Sequence, residues 1–167
     1  MATDALITKV LTFEHTAAAL QAYGDAVAAA YKDELLGDDR IATGDLINSV
    51  KAVVIGPDGG QIEVALDVSA YWKYVEYGTR PHWPPPDAIR KWIEAKPVIP
   101  TAFRNGKLPT LEQLTFLISR KIARFGTVGT HTLAHTLEEV NAEWADRIAA
   151  ALAEDVGDAA GLLFLDF

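Results

Sequence analysis

Two histidines, three serines and one glycine-rich run are the places where residue type and spacing could support chemistry. His131 and His135 stand four apart, the spacing that sets two imidazoles on one helical face for a divalent metal. Thr132, Leu133 and Ala134 lie between them, without the glutamate that a zinc hydrolase places next to its first histidine. Glu138 and Glu139 could extend the set, but acids on a terminal helix ordinarily face solvent. No metal and no other cofactor is expected. Ser49, Ser69 and Ser119 are the only serines, and none lies in a Gly-x-Ser-x-Gly elbow. There is no cysteine, which excludes thiolate nucleophiles, thiolate zinc sites and disulfides. The run Gly56-Pro57-Asp58-Gly59-Gly60 has no following lysine and joins two β-branched stretches, so it reads as a hairpin turn and not a phosphate cradle. No nucleophile, base or metal constellation remains, and the chain is not read as an enzyme.

Binding residues stand out more clearly. Tyr71, Trp72, Tyr74, Tyr77 and Trp83 fall within one short segment, with Glu76 and Arg80 between them. Large amphipathic rings concentrate at interface centres, yet they can equally roof their own core. Glu76 and Arg80 can fix register by pairing with charges on a neighbouring copy, or form a local surface ion pair worth at most about 1 kcal/mol. Lys73, Arg80, Arg90, Lys91 and Arg104 offer an alternative function, a nucleic-acid-binding accessory protein using this basic, aromatic middle segment, against the plainer reading of scattered surface charge.

Helices and a hairpin must position these groups. Phe13, Leu20, Tyr23, Val27, Tyr31 and Leu35 recur at helical spacing and predict a long helix over 12–36 that ends near Gly37. The segment 37–49 predicts a loop and a short helical turn capped by Thr43. Ile62, Val64, Leu66 and Val68 alternate with Glu63, Ala65 and Asp67, so the second β-branched run pairs with SVKAVVIGP in a hairpin with one buried face. Tyr71 to Pro86, with Pro84, Pro85 and Pro86 at its end, predicts a rigid elbow. Asp87 is expected to cap a helix through about Ala95 bearing Ile89, Trp92 and Ile93, and 97–110 a loop. Leu114, Leu117, Ile118, Ile122 and Phe125 predict a helix from Leu111 to Phe125, stopped by Gly126. GTVGTHT predicts a turn. A final helix, with Leu137, Val140, Trp144, Ile148 and Leu152 on one stripe, is expected from Leu133 to about Val156, and the apolar tail is expected to dock on the core or a partner.

The fold class is therefore α+β, a small antiparallel sheet built on the hairpin and packed with the N-terminal and C-terminal helices. One domain spanning 1–167 is expected, with a proline-rich elbow and loop insertion at about 80–110. Half the 167 residues are hydrophobic and 23% charged, enough apolar surface for a packed core and too much for a disordered chain. The first twenty residues include Asp4 and Glu14 and do not read as a secretory signal, and no apolar run reaches membrane-spanning length, so the expectation is a cytosolic chain that does not enter membranes. Net charge is −8: the segments 1–48 and 131–167 are strongly acidic, and the middle is mildly basic. That pattern lacks the concentrated basic footprint of general phosphate binders.

Three stretches carry a resemblance: Thr43-Gly44-Asp45-Leu46-Ile47-Asn48-Ser49, the segment Tyr71 to Pro85, and Arg120 to Leu137. In this order they resemble the neck or tail-completion (tail-terminator-like) minor structural proteins of long-tailed bacteriophages, over roughly residues 40 to 150. Where many relatives place a Pro-Phe pair before the last helix, this chain has Thr130-His131-Thr132-Leu133. The resemblance implies a homo-oligomeric ring, commonly a hexamer, at the head-tail junction of the virion, assembled in the host cytoplasm. It implies contacts with the major tail tube protein and a head-connector or stopper protein, and genomic DNA that passes through the lumen without specific binding.

Overall fold

The computed structural model describes residues 13–37, 44–58, 61–96 and 98–164. The fold is α+β. Helix α1 spans Glu14–Gly37, α2 Asp45–Ser49, strands β1 Lys51–Asp58 and β2 Gln61–Asp67, α3 Trp72–Tyr77, β3 Gly78–Thr79, α4 Pro86–Ala95, α5 Leu111–Phe125, β4 Thr127–Val128 and α6 Thr132–Phe164. These group into two compact units. The first takes α1 as far as Glu34, the hairpin with Val50 and Val68, and α6 from Leu133; the second takes Leu35–Ser49 and Ser69–Thr132.

In the first unit the expected stripe of α1 buries Val27 and Tyr31 and half-buries Leu20 and Tyr23. Burial of side chains this size contributes about 1.5–3 kcal/mol each, which outweighs surface pairs such as Arg147 with Glu143 at 3.0 Å, worth under about 1 kcal/mol. The hairpin pairs Ala52 with Leu66 and Val54 with Val64, the expected alternation, and a register shift falls between Ile55 and Asp58. Gly24 lets the helix come close to that face: a Cβ there would lie 2.9 Å from the Ala52 Cβ and 3.0 Å from a Val64 methyl. On α6, Leu137, Val140, Trp144 and Ile148 are half-buried, while Leu152 is exposed. Tyr23 meets Trp144 edge to face at 6.3 Å and donates its hydroxyl to Asn141 Oδ1 at 2.5 Å. Partial burial pushes the Tyr23 phenol pKa up.

Helix α1 has a cap supplied from far along the chain. The buried carboxylate of Asp155 accepts the backbone N–H of His15 at 3.0 Å, the N–H of Thr16 at 2.7 Å and the Thr16 hydroxyl at 2.6 Å. The first N–H groups of a helix have no partner within it, so an acceptor here does what an N-cap side chain would do. His15 also places its ring 3.5 Å from Glu154 and 3.3 Å from Asp158. Burial acts to raise the Asp155 pKa, but the hydrogen bonds from Thr16 and His15 and the His15 charge outweigh it, and the net effect is a lowered pKa. Helix α6 accordingly runs eight residues beyond the expected end at Val156. Gly157 and Gly161 each cost only about 1 kcal/mol in a helix, and Asp155 and Ala159, one turn apart on a buried face, hold that stretch in place. The expected docking of the apolar tail falls on side chains outside the described residues.

In the second unit α2 forms where a helical turn is expected, and its Thr43 cap lies outside the described residues. The Ser49 hydroxyl donates to the Leu46 carbonyl at 2.7 Å and accepts the Ser69 N–H at 2.9 Å, joining the two chain ends that flank the hairpin. Helix α5 has the expected bounds and a full capping box: Thr110 accepts the Gln113 N–H at 3.3 Å, and Gln113 accepts the Thr110 N–H at 3.0 Å. The described part of 97–110 holds neither helix nor strand, as expected. Three expectations are corrected. Asp87 does not cap α4; Pro85 holds that position without a side-chain bond, Pro86 is the first helical residue, and Asp87 approaches Arg90 at 3.5 Å. The stretch expected as an elbow begins with a helix, Trp72–Tyr77, that Gly78, at φ 72°, ends. The stretch expected as a turn contains β4, which pairs with β3.

Two outcomes follow. Asp155→Ala should lower the thermal midpoint more than Glu154→Ala, followed by circular dichroism. A carboxylate with a lowered folded pKa stabilises fully above its unfolded value, so this gap should be complete at neutral pH. It should shrink as pH drops past about 3.9 and close below the lowered folded value. Gly24→Ala gains about 1 kcal/mol of helix propensity but overpacks the strand at a cost of about 1–3 kcal/mol, so urea unfolding should show a net loss of up to about 2 kcal/mol.

Candidate functional site

The aromatic segment is held by a backbone clasp. Gly78 pairs with Val128 and Thr79 with Thr127, joining chain positions nearly fifty residues apart. Thr127 donates its N–H to the Thr79 hydroxyl at 3.2 Å, and the two hydroxyls lie 3.0 Å apart. The Thr130 N–H reaches the Val75 carbonyl at 2.9 Å, its hydroxyl reaches the same oxygen at 3.2 Å, and the His131 N–H reaches the Glu76 carbonyl at 3.2 Å. Three glycines permit the approach. A Cβ at Gly126 would lie 1.9 Å from the Thr79 oxygen, at Gly78 2.1 Å from the Thr127 oxygen, and at Gly129 2.2 Å from the Glu76 oxygen. Gly78 and Gly126 also have positive φ, at 72° and 68°, which glycine alone adopts without strain.

Four rings of this segment are exposed. Tyr71, Tyr74, Tyr77 and Trp83 are 58%, 57%, 67% and 54% exposed. Tyr71 and Tyr74 meet edge to face at 5.9 Å, Trp72 is half-buried against Tyr77 at 5.9 Å, and Tyr77 meets the His131 ring at 6.3 Å. The expected group therefore divides. Its tyrosines, Trp83 and Arg80 lie on the surface, whereas Glu76 is 3% exposed and belongs to the buried side of α3. Lys73, Lys91 and Arg104 are exposed, and Arg90 is half-buried beside Asp87.

Between α4 and α5 is a cavity of about 160 Å³. Trp83, Pro86 and Phe116 form its apolar wall, with Trp83 and Phe116 6.0 Å apart. Arg90, Glu112, Thr115 and Ser119 supply the polar lining. Thr115 spends its hydroxyl on the Leu111 carbonyl at 2.7 Å. The Ser119 hydroxyl and the Arg90 Nε are buried and have no hydrogen-bond partner. Hydrogen bonds from its own N–H and from Thr110, together with the nearby Arg90 charge, lower the Glu112 pKa and keep that carboxylate ionised. Sequence reasoning missed Ser119 and Phe116 as site residues. The available signal was the spacing Thr115–Ser119, two hydroxyls one turn apart on an otherwise apolar stripe.

His131 and His135 do not share a helical face. His131 precedes α6 at φ 56°, and both rings are exposed. Among the described residues no group of three His, Cys, Asp or Glu side chains could hold a metal ion, and no helix is long and apolar enough to cross a membrane.

Gly126→Ala should destabilise the chain by at least about 3 kcal/mol in urea unfolding, from left-handed strain together with overpacking against the Thr79 carbonyl. Thr79→Val should cost only about 1 kcal/mol, the net value of a typical hydrogen bond. Comparison of the chain with models of known families, with curated proteins and with solved structures finds no match.

Proposed function

We propose that this chain is a structural subunit of the head-tail junction of a long-tailed bacteriophage. Copies of it close into a ring, six-fold as in the family it resembles, that completes the tail tube and joins it to the head connector. One face meets the major tail tube protein and the other the connector or stopper, and the ring assembles in the host cytoplasm before residing in the virion. Its work is geometric, and no bond is made or broken.

The observation that carries this reading is the presence of four rings, each more than half exposed, between Tyr71 and Trp83. Exposed apolar patches of this kind mark interaction surfaces, and aromatic side chains concentrate binding energy at interface centres. Two of the three stretches that carry the phage resemblance are the two halves of the clasp that ties α3, the helix that ends at Tyr77. A net charge of −8 suits a lumen wall past which DNA slides, because phosphates are repelled and not captured.

Size-exclusion chromatography with light scattering should find a discrete closed oligomer at micromolar concentration. The triple variant Tyr71→Ala, Tyr74→Ala, Tyr77→Ala should run as a monomer with an unchanged circular dichroism spectrum. Fluorescence anisotropy with duplex DNA should show no binding that weakens with salt. A chain that stays monomeric, with no place in particles imaged by cryo-electron microscopy, would end the proposal, and steep salt-dependent DNA binding would replace it with the nucleic-acid reading.

A further inference from the structure

Charge is divided unevenly between the two units. Among the described residues the first unit carries 14 acids and 3 bases, and the second 5 acids and 10 bases. The division is sharpest on two helix faces. On α5, Phe116, Arg120, Lys121, Arg124 and Phe125 are exposed, both rings by more than half. Bases near the C-terminal end of a helix gain about 0.3–1 kcal/mol each from its dipole, which accounts for the three charges. It does not account for the two phenyl rings left among them. None of the three bases forms an ion pair with a described residue. The face runs up to the clasp, where Gly126 follows Phe125 and the exposed Val128 pairs with Gly78, next to the exposed Tyr77.

Helix α6 carries the opposite surface. It holds seven acids against Arg147 alone. Its outward stripe is Glu139, Ala142, Asp146, Ala149 and Ala153, exposed at alternating steps of three and four, with Leu152 and Val156 exposed at the border. Glu138, Glu139 and Asp146 pair with no described residue. Alanines keep the stripe shallow, so large side chains from outside can pack close to the helix.

We infer that α5 of one copy docks on the outer stripe of α6 in a second copy, bases against acids and phenyl rings against the alanines, Leu152 and Val156. A second copy is the occupant because each chain owns one face of each kind, and can offer α5 to one neighbour and α6 to another. A like-with-like contact about a two-fold axis would set acids on acids or bases on bases, whereas a head-to-tail contact pairs opposite charges at every joint. Duplex DNA would meet the bases but leave both rings and the α6 stripe without a partner. The inference rests on the ring reading and names the two faces that meet at each joint.

Sedimentation equilibrium on the full chain tests it. Arg120→Glu, Lys121→Glu and Arg124→Glu, made together, should weaken self-association at least about 100-fold, because like charges brought together across a contact are strongly unfavourable. Glu138→Lys, Glu139→Lys and Asp146→Lys, made together, should do the same. All six positions are exposed, so both variants should keep the wild-type circular dichroism spectrum. Mixed in equal amounts, the two should form the oligomer that neither forms alone, since each supplies the face the other lacks; loss of fold would not be rescued in this way. Phe125→Ala should weaken association about 10-fold with all charges in place. A wild-type chain that is monomeric throughout overturns the ring reading, and this contact with it. An oligomer unchanged by either triple reversal, or two variants that stay apart when mixed, overturns this contact alone. Duplex DNA that binds the wild-type chain and not the α5 variant overturns the second copy as occupant and assigns the basic face to nucleic acid.

Discussion

The second unit depends on two backbones that come closer than any side chain would permit. At Gly78, Gly126 and Gly129 the opposing carbonyl oxygen occupies the place of a Cβ, 1.9 to 2.2 Å from where one would stand. Two strand residues on each side then suffice, because Thr79, Thr127 and Thr130 add side-chain bonds to a ladder too short to persist alone. Helix α3, only six residues long, could not hold its shape by propagation, since short helices are marginal in water. It is held because the carbonyls of Val75 and Glu76 accept N–H groups from the chain leaving β4. The exposed tyrosines thus sit on a support tied by backbone bonds, and side chains on such a support would lose less entropy on contact with a partner.

The first unit solves a similar problem with charge. Its longest helices are tied where α1 begins, by a carboxylate that takes three bonds from His15 and Thr16. Asp155 is buried, and an ionised group there is tolerable only because those bonds replace the water it loses. His15, facing Glu154 and Asp158 one turn apart, adds exposed contacts that salt screens readily. The buried bonds, and not the exposed ones, set where α1 starts.

Much of this was legible in the sequence. The periodicity of Val27, Tyr31 and Leu35 marked α1, the alternation through Ile62, Val64 and Leu66 marked the hairpin, and the stripe from Leu114 to Phe125 marked α5, since each pattern reports a face that must be buried. Helix α3 was illegible because Trp-Lys-Tyr-Val-Glu-Tyr carries no helical stripe and its partners lie some fifty residues onward. Strands β3 and β4 were illegible for the same reason, as two-residue strands have no period to read. The end of α6 was misplaced because Gly157 and Gly161 resemble stop signals, while the burial of Asp155 and Ala159 around them comes from contacts distant in sequence. The aromatic segment was visible as a candidate surface, but only the fold separates buried Glu76 from its exposed neighbours.

The cavity beside Trp83 was hidden for a further reason. A serine inside a helix ordinarily returns its hydroxyl to the carbonyl four residues back, as Thr115 does to Leu111. Ser119 is on the same helix and equally buried, yet leaves its hydroxyl without a partner. A residue type says that a hydroxyl is present and not whether it is spent, so only the packing around α5 separates Thr115 from Ser119.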